Sequence, residues 1–214
     1  MSLLNVTPLR FGRVIQSAQL SLYLLLALIF FLPTDSHGQH GARTITRGID
    51  QLTEEADVIV HGYVTSTRIE PHPQLRNLNT VVVSIEVKDT YKGKPGKSLT
   101  FRQFIWDSDP QRELAEYGKH QELILFLGPV SEYGLTSPVG LEQGRFRIYA
   151  DQKKQVVAAN GRGNVGLFHS VVTRAHSHGV TLSPRILKMA QQTPAAPLLL
   201  SDLEDAIRTF AGAR

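Results

Sequence analysis

The 214-residue sequence contains no cysteine. That excludes disulfides, thiol catalysis, cysteine-based zinc sites and the cysteine-linked anchor of a lipoprotein. A chain of this length can instead bury enough apolar surface to stand on its core alone. Acidic residues are missing from Gly161 through Ser201. Arg162, Arg174, Arg185 and Lys188 therefore lack local compensation there, which opposes cation binding in that stretch. Neither a G-x-S-x-G nucleophile elbow nor a G-x-x-x-x-G-K-[ST] phosphate loop occurs. A dinucleotide fingerprint is present only in outline. "GRGNVG" (Gly161 to Gly166) has the glycine spacing, but no acid lies about 20 residues on to hold a ribose hydroxyl. No alternation of strands and helices surrounds it, so the glycines read as a turn after a strand.

Long apolar runs are also missing, apart from Leu20 to Leu32. That run falls short of the about 20 residues a membrane-spanning helix needs. It matches the roughly 7–15 residues of a signal-peptide core. Arg10 and Arg13 precede it, Pro33 ends it, and Ser36 and Gly38 are small residues at the −3 and −1 positions of a cleavage site. Residues 1–38 therefore read as a signal peptide, and the mature chain is expected to begin at Gln39 in the periplasm or outside the cell. The alternative is a membrane anchor left uncleaved. A formal net charge of +4 favours solubility more than it names a partner.

Periodicity organises what remains. Ile49, Leu52 and Ala56 make one stripe of a short helix over Thr46 to Ala56, with Asp50, Glu54 and Glu55 turned away. From Val58 the period becomes two, with Val58, Val60, Gly62 and Val64 on one face and Ile59, His61, Tyr63 and Thr65 on the other. Val81, Val83, Ile85 and Val87 mark a second strand, ended by "KGKPGK" (Lys92 to Lys97). "LTFRQFI" is a third. Asp109 and Pro110 read as N-cap and first residue of a helix reaching about Tyr117. "ELILFLG" (Glu122 to Gly128) suits a strand buried on both faces. "GRFRIYA" and "KKQVVAA" form a hairpin over Asp151. Ser183 and Pro184 begin a further helix to about Gln191, "TPAAP" (Thr193 to Pro197) is a linker, and Ser201 with Glu204 forms a capping box for a last helix with Leu203, Ile207 and Phe210 on its stripe.

The series "ADVIVHGYV", "VKDTYKGK", "LTF", "ELILFL" and "PVGLEQGRFRI" resembles a group of exported bacterial proteins of uncharacterised activity. More loosely it is similar to the netrin-like barrel of the tissue inhibitors of metalloproteinases. The likeness covers about Leu52 to Tyr149. It implies a mainly β fold: a small barrel of the oligonucleotide/oligosaccharide-binding (OB) type over residues 39–160, with a helix inserted between strands. Residues 161–214 follow as a basic connector with C-terminal helices. Strand count agrees with such a barrel, and a β-sandwich is the runner-up. The inhibitors act through an N-terminal cysteine that chelates the protease metal, a route closed to this chain.

Few residues carry a chemical signal. His61 is a lone strand histidine with no orienting partner near it in sequence, and it reads as a rung rather than a catalyst. His169, His176 and His178 are the candidate metal ligands. In an extended segment His176 and His178 project to one side and could share zinc or copper. Asp107, Asp109 and Glu113 lack the spacing of a calcium loop. Lys92, Lys94, Lys97, Arg102, Arg145 and Arg147 are scattered, so no nucleic-acid surface is expected. The sequence leads us to expect a non-catalytic exported domain that binds an envelope or extracellular protein, peptide or glycan. The alternatives are a metal-binding protein or metal-dependent enzyme using His169–His178, and a cysteine-free protease inhibitor.

Overall fold

A computed structural model describes residues 45–106, 109–192 and 196–212. The expected leader with its cleavage point, Asp107, and Thr193 to Ala195 of the expected linker lie outside them. Two long strands, β1 (Val58–Pro71) and β2 (Asn79–Lys92), form the spine. At about 3.3 Å per residue each reaches roughly 45 Å. Their antiparallel register shifts at Ile59/Val60, His61/Gly62 and Val64/Ser66. Such bulges bend and twist a ribbon too long to lie flat over a small core. β3 (Ser98–Phe104), β4 (Glu122–Leu127), β5 (Arg145–Ala150), β6 (Val156–Asn160) and the short β7 (Leu198–Leu199) complete one seven-stranded antiparallel sheet. Its order is β3-β2-β1-β4-β5-β6-β7.

The fold is mainly β, as the sequence suggests, but the sheet is not closed into a barrel by strand pairing among the described residues. The reason is visible in what covers each face. One face gathers Val60, Val64, Val83, Ile85, Phe101 and Leu125 around Tyr117. On the other, Ile59, Ile124, Phe126 and Phe146 lie under a helical layer. That layer is α1 (Ile49–Glu55), α3 (Val171–Ser177), α4 (Pro184–Gln192) and α5 (Leu200–Ala211). Ile49, Leu52, Val171, Ile186, Leu203 and Ile207 are its buried contacts. Burying a side chain of this size contributes about 1.5–3 kcal/mol. β4 shows why its run is continuously apolar: Leu123, Leu125 and Leu127 serve one cluster, Ile124 and Phe126 the other.

α2 (Pro110–Ala115) is inserted between β3 and β4. Asp109 caps it by accepting a bond from Gln111 N at 3.0 Å, and Pro110 fills the first turn. The last helix differs from its sequence reading. α5 begins at Leu200, and its N-cap, Leu199, makes no side-chain cap bond. β7 pairs with β6 through Val157↔Leu199 and Ala158↔Leu198, so a strand feeds directly into the helix and Ser201 falls inside the first turn. Ser201 Oγ instead accepts from Arg185 at 3.2 Å. No helix among the described residues is long and apolar enough to cross a membrane.

Candidate functional site

Two places stand out: an open cleft at the end of β3, and a histidine enclosed by carboxylates beneath α5. The cleft has a volume of about 600 Å³ and is lined by Phe104, Trp106, Pro129, Leu135, Pro138 and Leu141, among others. β3 delivers Phe104, and the chain leaving it delivers Trp106. Both rings are partly solvent-exposed and meet edge to face at 5.2 Å. Trp106 is held from behind, since its backbone N–H donates to Glu113 Oε1 at 3.0 Å. Glu113 also accepts from Gln103 Nε2 at 2.9 Å, and Gln103 accepts from Tyr117 OH at 2.7 Å.

The opposite wall is the loop after β4. It is stiffened by its own bonds: Ser131 N to Leu135 O at 2.8 Å, Thr136 Oγ1 to Gly128 O at 2.7 Å, and Val139 N to Phe126 O at 2.7 Å. Thr136 N donates to Arg102 O at 2.9 Å, which ties this loop to the edge of β3. Gly134, at φ +71°, takes the left-handed turn position that glycine adopts freely. Arg47 and Glu55 sit at the rim and pair with each other at 2.7 Å. A cleft of this size with a small polar complement has the proportions of a ligand site.

The second place centres on His61, 1% exposed. β1 aims it at the helical layer. Cross-strand register puts Asp89 of β2 opposite it on one side and Ile124 of β4 on the other. Glu122, two residues before Ile124, shares that face. His61 Nε2 lies 2.8 Å from Glu122 Oε1. Nδ1 has no hydrogen-bond partner among the described residues. It faces Asp89 Oδ2 at 3.8 Å and, from α5, Glu204 Oε1 at 3.7 Å. Tyr91 OH donates to Glu204 Oε1 at 2.8 Å, and the Arg208 guanidinium lies 5.2 Å over the Tyr91 ring. Burial and the bond to Glu204 push the Tyr91 hydroxyl well above its usual range. At Glu122, burial opposes ionisation, but bonds from His61, Tyr63 and Lys88 prevail and its pKa falls below the ordinary carboxylate value.

Gly62 makes this approach of strands possible. A Cβ there would stand 2.2 Å from Glu86 O and 2.8 Å from Ile85 Cγ2. The strand reading of His61 holds in that it is a rung, but a buried one with partners that sequence proximity does not reveal. Glu122 is 61 residues away.

The histidines singled out from sequence lie elsewhere. His169 is exposed in a chain of turns, His176 is exposed on α3, and His178 is its exposed C-cap. The segment is helical over Val171–Ser177, not extended. Positions two apart on a helix lie about 200° apart around its axis, so the shared side of a strand is lost. Among the described residues the group of three ligand-type side chains with close donor atoms is His61, Asp89 and Glu204. "GRGNVG" forms tight turns pinned by the buried Asn164. Its side chain accepts from Asn160 N at 2.9 Å and donates to Ala158 O at 3.0 Å and Ala196 O at 2.9 Å. His72 likewise carries no signal in the sequence pattern. It is buried, its Nδ1 accepts from Gln74 N and Leu75 N, and its Nε2 bonds Tyr133 O at 2.7 Å. With every polar atom satisfied it fixes the loop between β1 and β2.

No protein-family model and no curated protein matches the chain.

Proposed function

We propose that this chain is an exported, non-catalytic domain that uses the Phe104–Trp106 cleft to bind an extended apolar segment of an envelope protein. The observation that carries it is the pair of exposed aromatic rings standing over a preformed cleft. Exposed aromatics at the mouth of a concavity supply large contact area at little entropic cost, and a bond-stiffened wall adds preorganisation. Proline, leucine and aromatic lining suits apolar side chains. Its hydrogen-bonding side chains are Ser131, Thr136 and Ser137, with Arg47 and Glu55 engaged with each other, fewer free groups than a glycan would call for.

We further infer that β1 to β5 make a partly open barrel of the netrin-like, OB type. Four observations support this reading. The neighbour order is β3-β2-β1-β4-β5, the helix falls between β3 and β4, and bulges bend β1 against β2. The Thr136–Arg102 bond draws the loop after β4 toward the β3 edge. Export rests on the leader read from the sequence.

Trp106 is the only tryptophan in the chain, so its emission reports on the cleft directly. Overlapping synthetic peptides from exported proteins of the host, titrated into the protein, are expected to shift that emission to the blue in a saturable way. A Phe104→Ala variant should weaken the responding peptide about tenfold or more, as for a buried aromatic anchor. Peptides that bind while leaving both the emission and the Phe104→Ala affinity unchanged would place recognition on another surface.

A further inference from the structure

We propose that His61, Asp89 and Glu204 form a site for one divalent transition metal, zinc in the first instance, which clips α5 onto the sheet. Glu122 accepts from Nε2 at 2.8 Å, and a carboxylate can only accept, so Nε2 carries the proton. In the neutral ring the Nδ1 lone pair then points at Asp89 and Glu204. A buried lone pair facing two carboxylates with no donor between them is unfavourable, and a cation at their centre reverses the sign of all three interactions.

Protonating Nδ1 is the competing solution. Its N–H would meet oxygens at 3.7 and 3.8 Å, outside hydrogen-bond range. A tetrahedral ion with bonds of about 2.0–2.2 Å sets its ligands roughly 3.3–3.6 Å apart, so each carboxylate oxygen needs to approach Nδ1 by only a few tenths of an ångström. All three donor atoms lie within 4.8 Å of one another.

The surroundings match a metal site in two further ways. A ligating histidine ordinarily donates its second ring N–H to a carboxylate, the part Glu122 plays, and ligating carboxylates are themselves hydrogen-bonded, as Glu204 is by Tyr91. The local charges also leave room for a cation. Asp89, Glu122 and Glu204 are opposed by Lys88, 3.4 Å from Glu122, and Arg208, 3.5 Å from Glu204 Oε2. One imidazole and two carboxylates suit zinc better than magnesium or calcium, which prefer all-oxygen sets. Asp89 is half exposed and offers the entry path, while the fourth coordination position falls to water.

The test uses the full chain, stripped with a chelator and titrated with zinc alone, read by calorimetry and native mass spectrometry. One zinc per chain is expected, with a melting temperature that rises with zinc concentration. His176→Ala with His178→Ala should leave this unchanged, whereas Asp89→Asn with Glu204→Gln should weaken binding at least about tenfold. Zinc lost with the exposed histidines, zinc retained in the carboxamide variant, or no stoichiometric zinc at all would each overturn the proposal. Should the carboxamide variant fail to fold, the ¹⁵N resonance of His61 Nδ1 in the parent decides: a shift on adding zinc supports the site, and an unmoved resonance sinks it.

Discussion

Tyr117 shows how one buried side chain couples pH to stability. Its ring is fully buried, 5.8 Å from Phe101, with Arg145 stacked 5.0 Å over it. Burial penalises the phenolate, Arg145 offsets part of that, and the hydroxyl is pushed up to about 12 from 10.0. A folded pKa above the unfolded one gives stability that is fully present below pH 10 and is lost as pH rises toward 12. Two units correspond to about 3 kcal/mol. Urea midpoints of the parent should therefore fall steeply between about pH 9 and about pH 11.5. Tyr117→Phe loses the bond to Gln103, so it should start about 1 kcal/mol lower and fall less over the same range. Parallel curves would mean that Tyr117 does not titrate as argued. Glu113 and Glu116, four and one residues before it, reinforce the shift, but Phe101, Gln103 and Arg145 reach it from β3 and β5. Residue-level chemistry was the least legible part of the sequence for this reason. His61, Asp89, Glu122 and Glu204 each look ordinary where they stand, and only the register of β1 with β2 and β4, plus the docking of α5, brings them together.

Elements were more legible, because periodicity is local. Ile49, Leu52 and Ala56, Leu203 and Ile207, and the faces of β1, β2 and β4 are buried where their spacing places them. The misreadings share a cause: tertiary contacts overrode a local signal. Ser201 with Glu204 has the letters of a capping box, yet pairing of β7 with β6 moves the helix start upstream, and Glu204 turns to Tyr91 and His61. α3 escaped notice because its buried face is only Val171 and Ala175. Caps offer a direct check. Asp109→Ala removes a working N-cap and should cost about 1 kcal/mol in a denaturant titration. Ser201→Ala removes no cap and should stay within about 0.5 kcal/mol of the parent. Equal losses at the two positions would restore the capping-box reading.

For the molecule as a whole, the segment beyond residue 160 is a structural layer. Leu167, Phe168, Val171, Ile186, Met189, Leu203, Ala206 and Ile207 come from beyond residue 160 and join the same cluster as Ile59, Ile124, Phe126 and Phe146. A sheet with one apolar face uncovered exposes a contiguous patch, which aggregates or stays molten. Sequence suggested a barrel ending near residue 160 because the strand pattern stops there, but a periodic pattern cannot say which face lacks a cover. A chain cut to residues 39–160 keeps the Tyr117 cluster and α1 but loses α3, α4 and α5 from the helical layer. It is expected to bind a hydrophobic dye and to unfold without a cooperative transition. The full chain should unfold in one step, with the helices and Trp106 melting together. A cooperative transition in the shortened chain, at the midpoint of the full one, would show instead that the strands stand alone and that the tail is an accessory laid over them.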